Sequence, residues 1–181
     1  MDIKYRQQLG ELCKHFDMLT DAAEIGVAEG NFSKDILNMG FERLYMVDNW
    51  ATIEGVKGDG NFEQEWHDKN FARAKEQTEP FFDKVVILRG LSAKMSEAVP
   101  DESLGLVYLD AGHDYSSVWF DLKHWYPKLK KGGIMAGHDF VNPAYGVADA
   151  VADFVKSRNI EVHLIAEDKN EDAGFWFRKT C

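Results

Sequence analysis

The sequence predicts an α/β fold: a doubly wound, mostly parallel sheet of seven strands with helices on both faces. Three observations indicate it. Short β-rich apolar segments alternate with longer amphipathic ones, the middle strands are near-continuous apolar runs, and only a short loop separates the last two strands. Such runs are typical of parallel strands that helices cover on both faces. A loop too short for a helical crossover predicts that the last two strands pair antiparallel.

The predicted strands are short apolar segments bounded by turn residues. They span residues 22–27, 44–48, 84–89, 106–110, 133–137, 161–166 and 174–178.

Helix-capping residues and apolar periodicity predict the helices between these strands. Asn31 is expected to cap a helix that ends near Met39. Asn61 with Gln64 three residues later resembles a capping box for a helix that ends near Thr78.

Apolar residues at steps of three and four predict helices at 115–129 and 147–157. Residues 1–16 are expected to form an accessory helix before a core at 20–181, with the whole chain as a single domain.

Composition favours a globular protein in a reducing compartment. Of the 181 residues, 45% are hydrophobic, but no apolar run approaches the roughly 20 residues of a membrane helix. The start has no apolar signal region, so we expect a cytoplasmic protein with Cys13 and Cys181 as free thiols. A net charge of -10 repels phosphate backbones and anionic lipid. Neither nucleic acid nor membrane is therefore an expected partner.

In a doubly wound sheet, ligands bind beyond the carboxyl ends of the strands. After the first strand, Glu24 is followed by Gly26 and Gly30, which permit a tight turn and close backbone approach at a helix N-terminus. Asp48 ends the second strand about twenty residues later, where an acid can accept hydrogen bonds from ribose hydroxyls. A plain turn and a solvated aspartate are the alternatives.

Two clusters that combine carboxylates with imidazoles follow the fourth and fifth strands. Asp110 and His113 belong to the first, and His138 and Asp139 to the second. Because these strands are neighbours in the predicted sheet, we expect the four side chains to surround one crevice, which favours a site. Ser92, after the third strand, either caps a short helix or contacts an adenine edge.

The glycine loop, Asp48 and the two clusters together resemble class I S-adenosylmethionine-dependent methyltransferases. The stretches 110–115, 122–129 and 132–140 are similar to small-molecule O-methyltransferases of the macrocin and aminocoumarin-sugar type. The resemblance covers nearly the whole chain from Ala22 onward. It implies a Rossmann-like three-layer fold and transfer of a methyl group from S-adenosylmethionine to a hydroxyl of a small molecule such as a sugar or phenol.

The resemblance also implies which residues bind the cofactor. The first three shape the methionine pocket, the next binds the ribose, two lie beside the adenine, and the last lies under the sulfonium. In that order they are Glu24, Gly26, Gly30, Asp48, Asn49, Ser92 and Asp110.

The resemblance further implies a divalent metal such as Mg²⁺ or Mn²⁺. In metal-dependent relatives, one Asp comes from the fourth strand and an Asp-Asp or Asp-Asn pair from the fifth. Here Asp110 matches the first, but the pair falls on His138 and Asp139, so its first member departs from the pattern. An imidazole shifts metal preference from magnesium toward manganese, iron, nickel or zinc. Alternatively, His138 hydrogen-bonds across the crevice and binds no ion.

Methyl transfer needs an acceptor oxygen that is aligned with the S–CH3 bond and unprotonated. His113 is the expected base and His138 the second candidate, since a neutral imidazole titrates near neutral pH. Two other functions stay open: a non-catalytic module that binds S-adenosylmethionine, and a nicotinamide-dependent oxidoreductase. Ala28 occupies the middle-glycine position of the dinucleotide fingerprint and weighs against the second.

We expect no inserted domain for the acceptor. Three segments are left to cover the acceptor: the stretch 50–60, the loop 140–145 and the N-terminal helix. The stretch 50–60 is either a mobile lid or a surface loop. That helix packs on its own domain or on a second copy, so a homodimer stays open. Four aromatic residues line a pocket or belong to the core: Trp50, Tyr115, Phe140 and Tyr145.

Overall fold

A computed structural model describes residues 1–54, 61–166 and 173–180, and a seven-stranded sheet lies at its centre. The strands are β1 (Asp21–Ile25), β2 (Arg43–Asp48), β3 (Val85–Arg89), β4 (Leu104–Leu109), β5 (Leu129–Gly137), β6 (His163–Ile165) and β7 (Gly174–Arg178). Their order is β3-β2-β1-β4-β5-β7-β6. The pairs among β1 to β5 are parallel, and β7 lies between β5 and β6, antiparallel to both. The predicted fold class is confirmed.

Helices cover both faces of this sheet. They are α1 (Leu9–His15), α2 (Asn31–Asn38), α3 (Gln64–Thr78), α4 (Ser92–Met95), α5 (Tyr115–Trp125) and α6 (Val147–Lys156). Buried residues of α1, α2 and α3 share one apolar cluster, and those of α5 and α6 share the other. In the part of the chain that the structure describes, no helix is long and apolar enough to cross a membrane.

Strand β4 shows why the central strands are apolar throughout. All six of its residues are buried. Leu106 and Tyr108 pack into the cluster with α1 and α2, whereas Val107 and Leu109 pack into the cluster with α5 and α6. Successive side chains of a strand point to opposite faces, so a strand between two helical layers needs an apolar residue at every position.

Both predicted helix caps are wrong. The N-cap of α2 is Gly30, in a left-handed conformation, and Asn31 is the first helical residue. The N-cap of α3 is Glu63. Asn61 instead hydrogen-bonds to the backbone N–H and C=O of Ile53, so its side chain closes a loop rather than a helix end.

The N-terminal segment is less helical than predicted. A 3-10 turn at Arg6–Gln8 leads into α1, whose Cys13 is a buried free thiol. Cys181, most of the predicted covering stretch at 50–60 and most of the last inter-strand loop lie outside the described residues.

Gly26 allows the ends of β1 and β4 to meet. Its φ of 91° lies in the left-handed region, and a Cβ there would lie 2.1 Å from the carbonyl oxygen of Asp110. No side chain fits at that distance, so glycine is required both by the backbone conformation and by the close approach.

We expect Gly26→Ala to lower the free energy of unfolding by about 3 kcal/mol or more, because a collision adds to backbone strain. Gly40→Ala is the matched control: its φ is 96°, but the nearest atom to an added Cβ is Leu19 Cδ2 at 3.7 Å. That variant keeps only the strain, about 1 kcal/mol. Urea unfolding measures both, and equal losses would contradict the role of the close approach.

Candidate functional site

The residues that follow three strands are brought together by hydrogen bonds that extend the sheet. The N–H of Gly26 donates to the next-to-last carbonyl of β2 (2.9 Å), and that of Asp110 to the last carbonyl of β1 (2.7 Å). The N–H of His138 donates to the last carbonyl of β4 (3.2 Å). The predicted glycine loop and both histidine clusters therefore lie at adjacent positions along one edge.

The Asp48 carboxylate orders the glycine loop. Its Oδ2 accepts hydrogen bonds from the backbone N–H groups of Val27 (3.0 Å) and Ala28 (2.9 Å), and its Oδ1 accepts one from Trp50 (2.8 Å). A carboxylate has about four acceptor positions. Asp48 thus has capacity left for a ligand hydroxyl, although its first task here is to shape the loop.

Glu24 is buried below the same loop. Its side chain is 1% exposed and accepts a hydrogen bond from the hydroxyl of Ser33 in α2. Burial raises the pKa of Glu24 to about 8, and the negative charges of Asp110 and Asp48 add to this effect. The carboxyl is therefore mainly protonated at neutral pH.

The residues expected beside the adenine are already engaged with protein groups. The amide oxygen of Asn49 accepts a hydrogen bond from the backbone N–H of Ala51. The hydroxyl of Ser92 donates to Asp121 and accepts from the indole N–H of Trp125. Ser92 does not cap α4, whose N-cap is Leu91, so that part of the prediction is wrong.

The second histidine-bearing cluster of the prediction meets the first. Nε2 of His113 lies 3.0 Å from Oδ2 of Asp139 and 3.6 Å from Oδ1 of Asp110. The imidazole stacks on Tyr145 with ring centroids 4.8 Å apart. The backbone carbonyl of His113 accepts a hydrogen bond from Gly146 just before α6. The stacked Tyr145 ring and the backbone contact therefore hold this imidazole with its Nε2 near both carboxylates.

The structure does not place the ligand atoms of Asp110, His138 and Asp139, the set expected to hold a metal, in one compact group. In the described part of the chain, the ligand atoms that lie within 4.8 Å of one another belong to Asp110, His113 and Asp139. His138 contacts Asp139 through Nδ1 at 3.1 Å and lines a small cavity beside the cluster. Two carboxylates and an imidazole fit a divalent cation that accepts both oxygen and nitrogen ligands.

Arg6 belongs to this site and was missed in the sequence. Its Nη1 lies 3.8 Å from Oδ2 of Asp110 and 3.5 Å from the hydroxyl of Tyr108. It precedes the first strand and is separated from Asp110 by the intervening strands and helices. No motif connects it to the strand ends, and the predicted N-terminal helix was the one signal that this segment packs on the sheet.

One of the four aromatic candidates lies at the site, and the other three do not. Trp50 is 1% exposed and packs on Phe71, so it belongs to the core. Phe140 packs on a ring of β7, and Tyr115 is exposed with its hydroxyl bonded to α6. Tyr145 contacts the His113 ring, as described above.

A family model described as a methyltransferase domain matches residues 23–140. This range runs from β1 to just beyond β5 and contains the glycine loop and both histidine clusters. No curated protein matches the chain.

Solved structures share the fold. The O-methyltransferase NovP is 22% identical, with a TM-score of 0.66 over 97% of this chain and 78% of that one. A proposed rRNA methylase from Clostridium thermocellum is 15% identical, with a TM-score of 0.68 over 100% and 99%. A proposed methyltransferase from Streptococcus mutans, in complex with SAH, is 15% identical, with a TM-score of 0.65 over 93% and 96%. At these identities the likeness establishes the fold.

Replacing Glu24 by Gln should remove a pH-dependent component of stability. The pKa of Glu24 rises from 4.5 to about 8 on folding, so the folded protein binds a proton that the unfolded chain releases. The stabilisation from the buried protonated carboxyl is complete below a pH of about 4.5 and is lost as the pH rises through about 8. Urea unfolding of both proteins across this range should therefore favour Glu24→Gln increasingly as the pH rises.

Asp121→Asn is the control for this experiment. Burial raises the pKa of Asp121 from 3.8 to about 6. The stability difference between Asp121→Asn and wild type should therefore level off at a lower pH than the difference between Glu24→Gln and wild type. A stability difference between wild type and Glu24→Gln that does not change with pH would contradict the raised pKa of Glu24.

Proposed function

The chain belongs to the methyltransferase domain family, and from this premise we propose that it transfers the methyl group of S-adenosylmethionine to a hydroxyl of a small molecule. The observation that supports a hydroxyl acceptor is the position of the His113 imidazole, whose Nε2 lies near the carboxylates of Asp110 and Asp139. An oxygen nucleophile must lose a proton during transfer, and an imidazole at this position is suited to accept it.

The cofactor half of the site is proposed at the ends of β1, β2 and β4. The glycine loop between Gly26 and Gly30 would contact the methionine part above Glu24, and Asp110 is a counter-charge for the sulfonium. Asp48 contacts the ribose through the acceptor positions that the loop amides leave unused.

The adenine is proposed to lie beside Asn49 and Ser92. Because Asp121 and Trp125 already engage the Ser92 hydroxyl, this serine contributes to the wall of the pocket rather than donating to the base.

S-adenosylmethionine would supply a methyl group on a positive sulfur, open to in-line attack by an acceptor oxygen with the thioether as leaving group. His113 takes the acceptor proton, and the nearby Asp139 stabilises the imidazolium that forms. His138 also contacts Asp139 and is the second candidate for the base.

A divalent cation bound by Asp110, His113 and Asp139 would lower the pKa of an acceptor hydroxyl. The two roles of His113 exclude each other, because a ring nitrogen that ligates a metal cannot also accept a proton. Substitution of His113 removes both roles at once, whereas a chelator removes only the metal, so chelation separates the two proposals.

The acceptor is proposed to be a small molecule rather than RNA. The net charge of -10 opposes association with a phosphate backbone. The same charge does not hinder a neutral sugar or phenol, and Tyr145 supplies an aromatic face beside His113.

Asp48→Ala should weaken SAH binding by about 1–3 kcal/mol, the range for hydrogen bonds to a charged group. Calorimetric titration measures it. Asp21→Ala removes an aspartate from the opposite end of β1 and should leave the affinity unchanged. Equal affinities for wild type and Asp48→Ala would contradict the proposed pocket.

His113→Ala should slow methyl transfer by about 10²–10⁴-fold, the usual contribution of a general base. The assay uses radiolabelled S-adenosylmethionine with a panel of sugars and phenols. His124→Ala, on the exposed face of α5, is the control, and His138→Ala tests the second candidate. A near-normal rate for His113→Ala would reject its role.

The same assay tests the metal. Loss of activity with a chelator and recovery with Mn²⁺ would support the cation, and full activity after chelation would remove it from the proposal. SAH binding without turnover on any acceptor of the panel would favour the non-catalytic module.

A further inference from the structure

A guanidinium from the N-terminal turn lies beside the end of β4. Arg6 contacts the Asp110 carboxylate and the Tyr108 hydroxyl, both at the end of β4. Its guanidinium carbon lies 4.7 Å from the ring centroid of Phe32 in the first turn of α2, directly after the glycine loop. Arg6 is thus held at the junction of the two segments proposed to bind the methionine part of the cofactor.

Packing fixes the position of this arginine. Phe32 and Tyr108 contact each other with ring centroids 4.4 Å apart, and they form one surface for the guanidinium. Leu9 and Leu12 of α1, just after the turn, are fully buried. A cation over an aromatic face is favourable, and the buried helix prevents the turn from drifting away.

We propose that Arg6 binds the carboxylate of the amino-acid tail of S-adenosylmethionine and selects a cofactor that carries this group. The inference rests on the proposed function. Asp48 and Asp110 place two carboxylates at the site, and like charges repel the carboxylate of the tail. A guanidinium among them supplies the complementary charge and two parallel donors.

The charges balance when the cofactor enters. In the free protein, Arg6 offsets the charge of Asp110. The amino group of the tail, which S-adenosylmethionine and SAH share, would bring a positive charge to Asp110, and this frees Arg6 to pair with the carboxylate. The amino group and the carboxylate are bonded to the same carbon atom, so both contacts fall in the same part of the site.

Arg89, at the carboxyl end of β3, is poorly placed for this task. It belongs to β3, which β2 and β1 separate from β4. Its Nη2 donates to the carbonyl of Trp50 at 2.8 Å. Arg89 therefore supports the loop after β2, and Arg6 is the better candidate for the tail.

The test is calorimetric binding of two ligands, SAH and the decarboxylated analogue of SAH, to wild type, Arg6→Gln and Arg6→Lys. Arg6→Gln should bind SAH about 10- to 100-fold more weakly and the analogue within about 2-fold of wild type. Arg6→Lys keeps the charge without the paired donors and should recover part of the loss. Arg43→Gln, at the opposite end of β2, should change neither affinity.

The ratio of the two affinities within each variant decides the outcome. Equal weakening of both ligands by Arg6→Gln, or no weakening of either, would overturn the inference. Because the ratio is measured on one protein sample, a general loss of stability cannot imitate selective loss of SAH. If wild type binds neither ligand, the proposed function itself is refuted. If wild type and Arg6→Gln bind SAH equally tightly, only the role of Arg6 is refuted.

Discussion

The site depends on the contact between the ends of β1 and β4. Here the strand order reverses direction, because β2 continues from β1 on one side while β4 begins the other half of the sheet. Gly26 lets the two chain segments approach so closely that a single methyl group would collide with the Asp110 carbonyl. The glycine loop then continues on one side of this contact and the Asp110–His113 segment on the other.

Several carboxyl groups lie around this contact, and each of them has a different environment. Glu24 is buried, so desolvation favours its protonated form. Asp48 is held by backbone amides. Asp110 faces Arg6, and Asp139 faces two imidazoles. The result is an acidic but compensated surface, which is suited to a cofactor whose reactive centre is a cation and whose tail carries both charges.

The match to the methyltransferase family covers the strands from β1 to β5, but the fold does not decide the acceptor. Neighbours of similar TM-score include an O-methyltransferase and a proposed rRNA methylase. After β4 and β5, this chain places the His113 imidazole beside two carboxylates and stacks it on Tyr145.

The sequence alone determined the strands, their parallel order up to the final pair, and the convergence of the glycine loop with both histidine clusters. These features follow from apolar periodicity and from the rule that parallel strands end at one edge. The tertiary structure decided which side chains touch: His113 rather than His138 joins the two carboxylates, Ser92 turns to Asp121, and Arg6 reaches Asp110. Such contacts depend on side-chain directions and on packing between segments far apart in the chain, and no local pattern of residues specifies either.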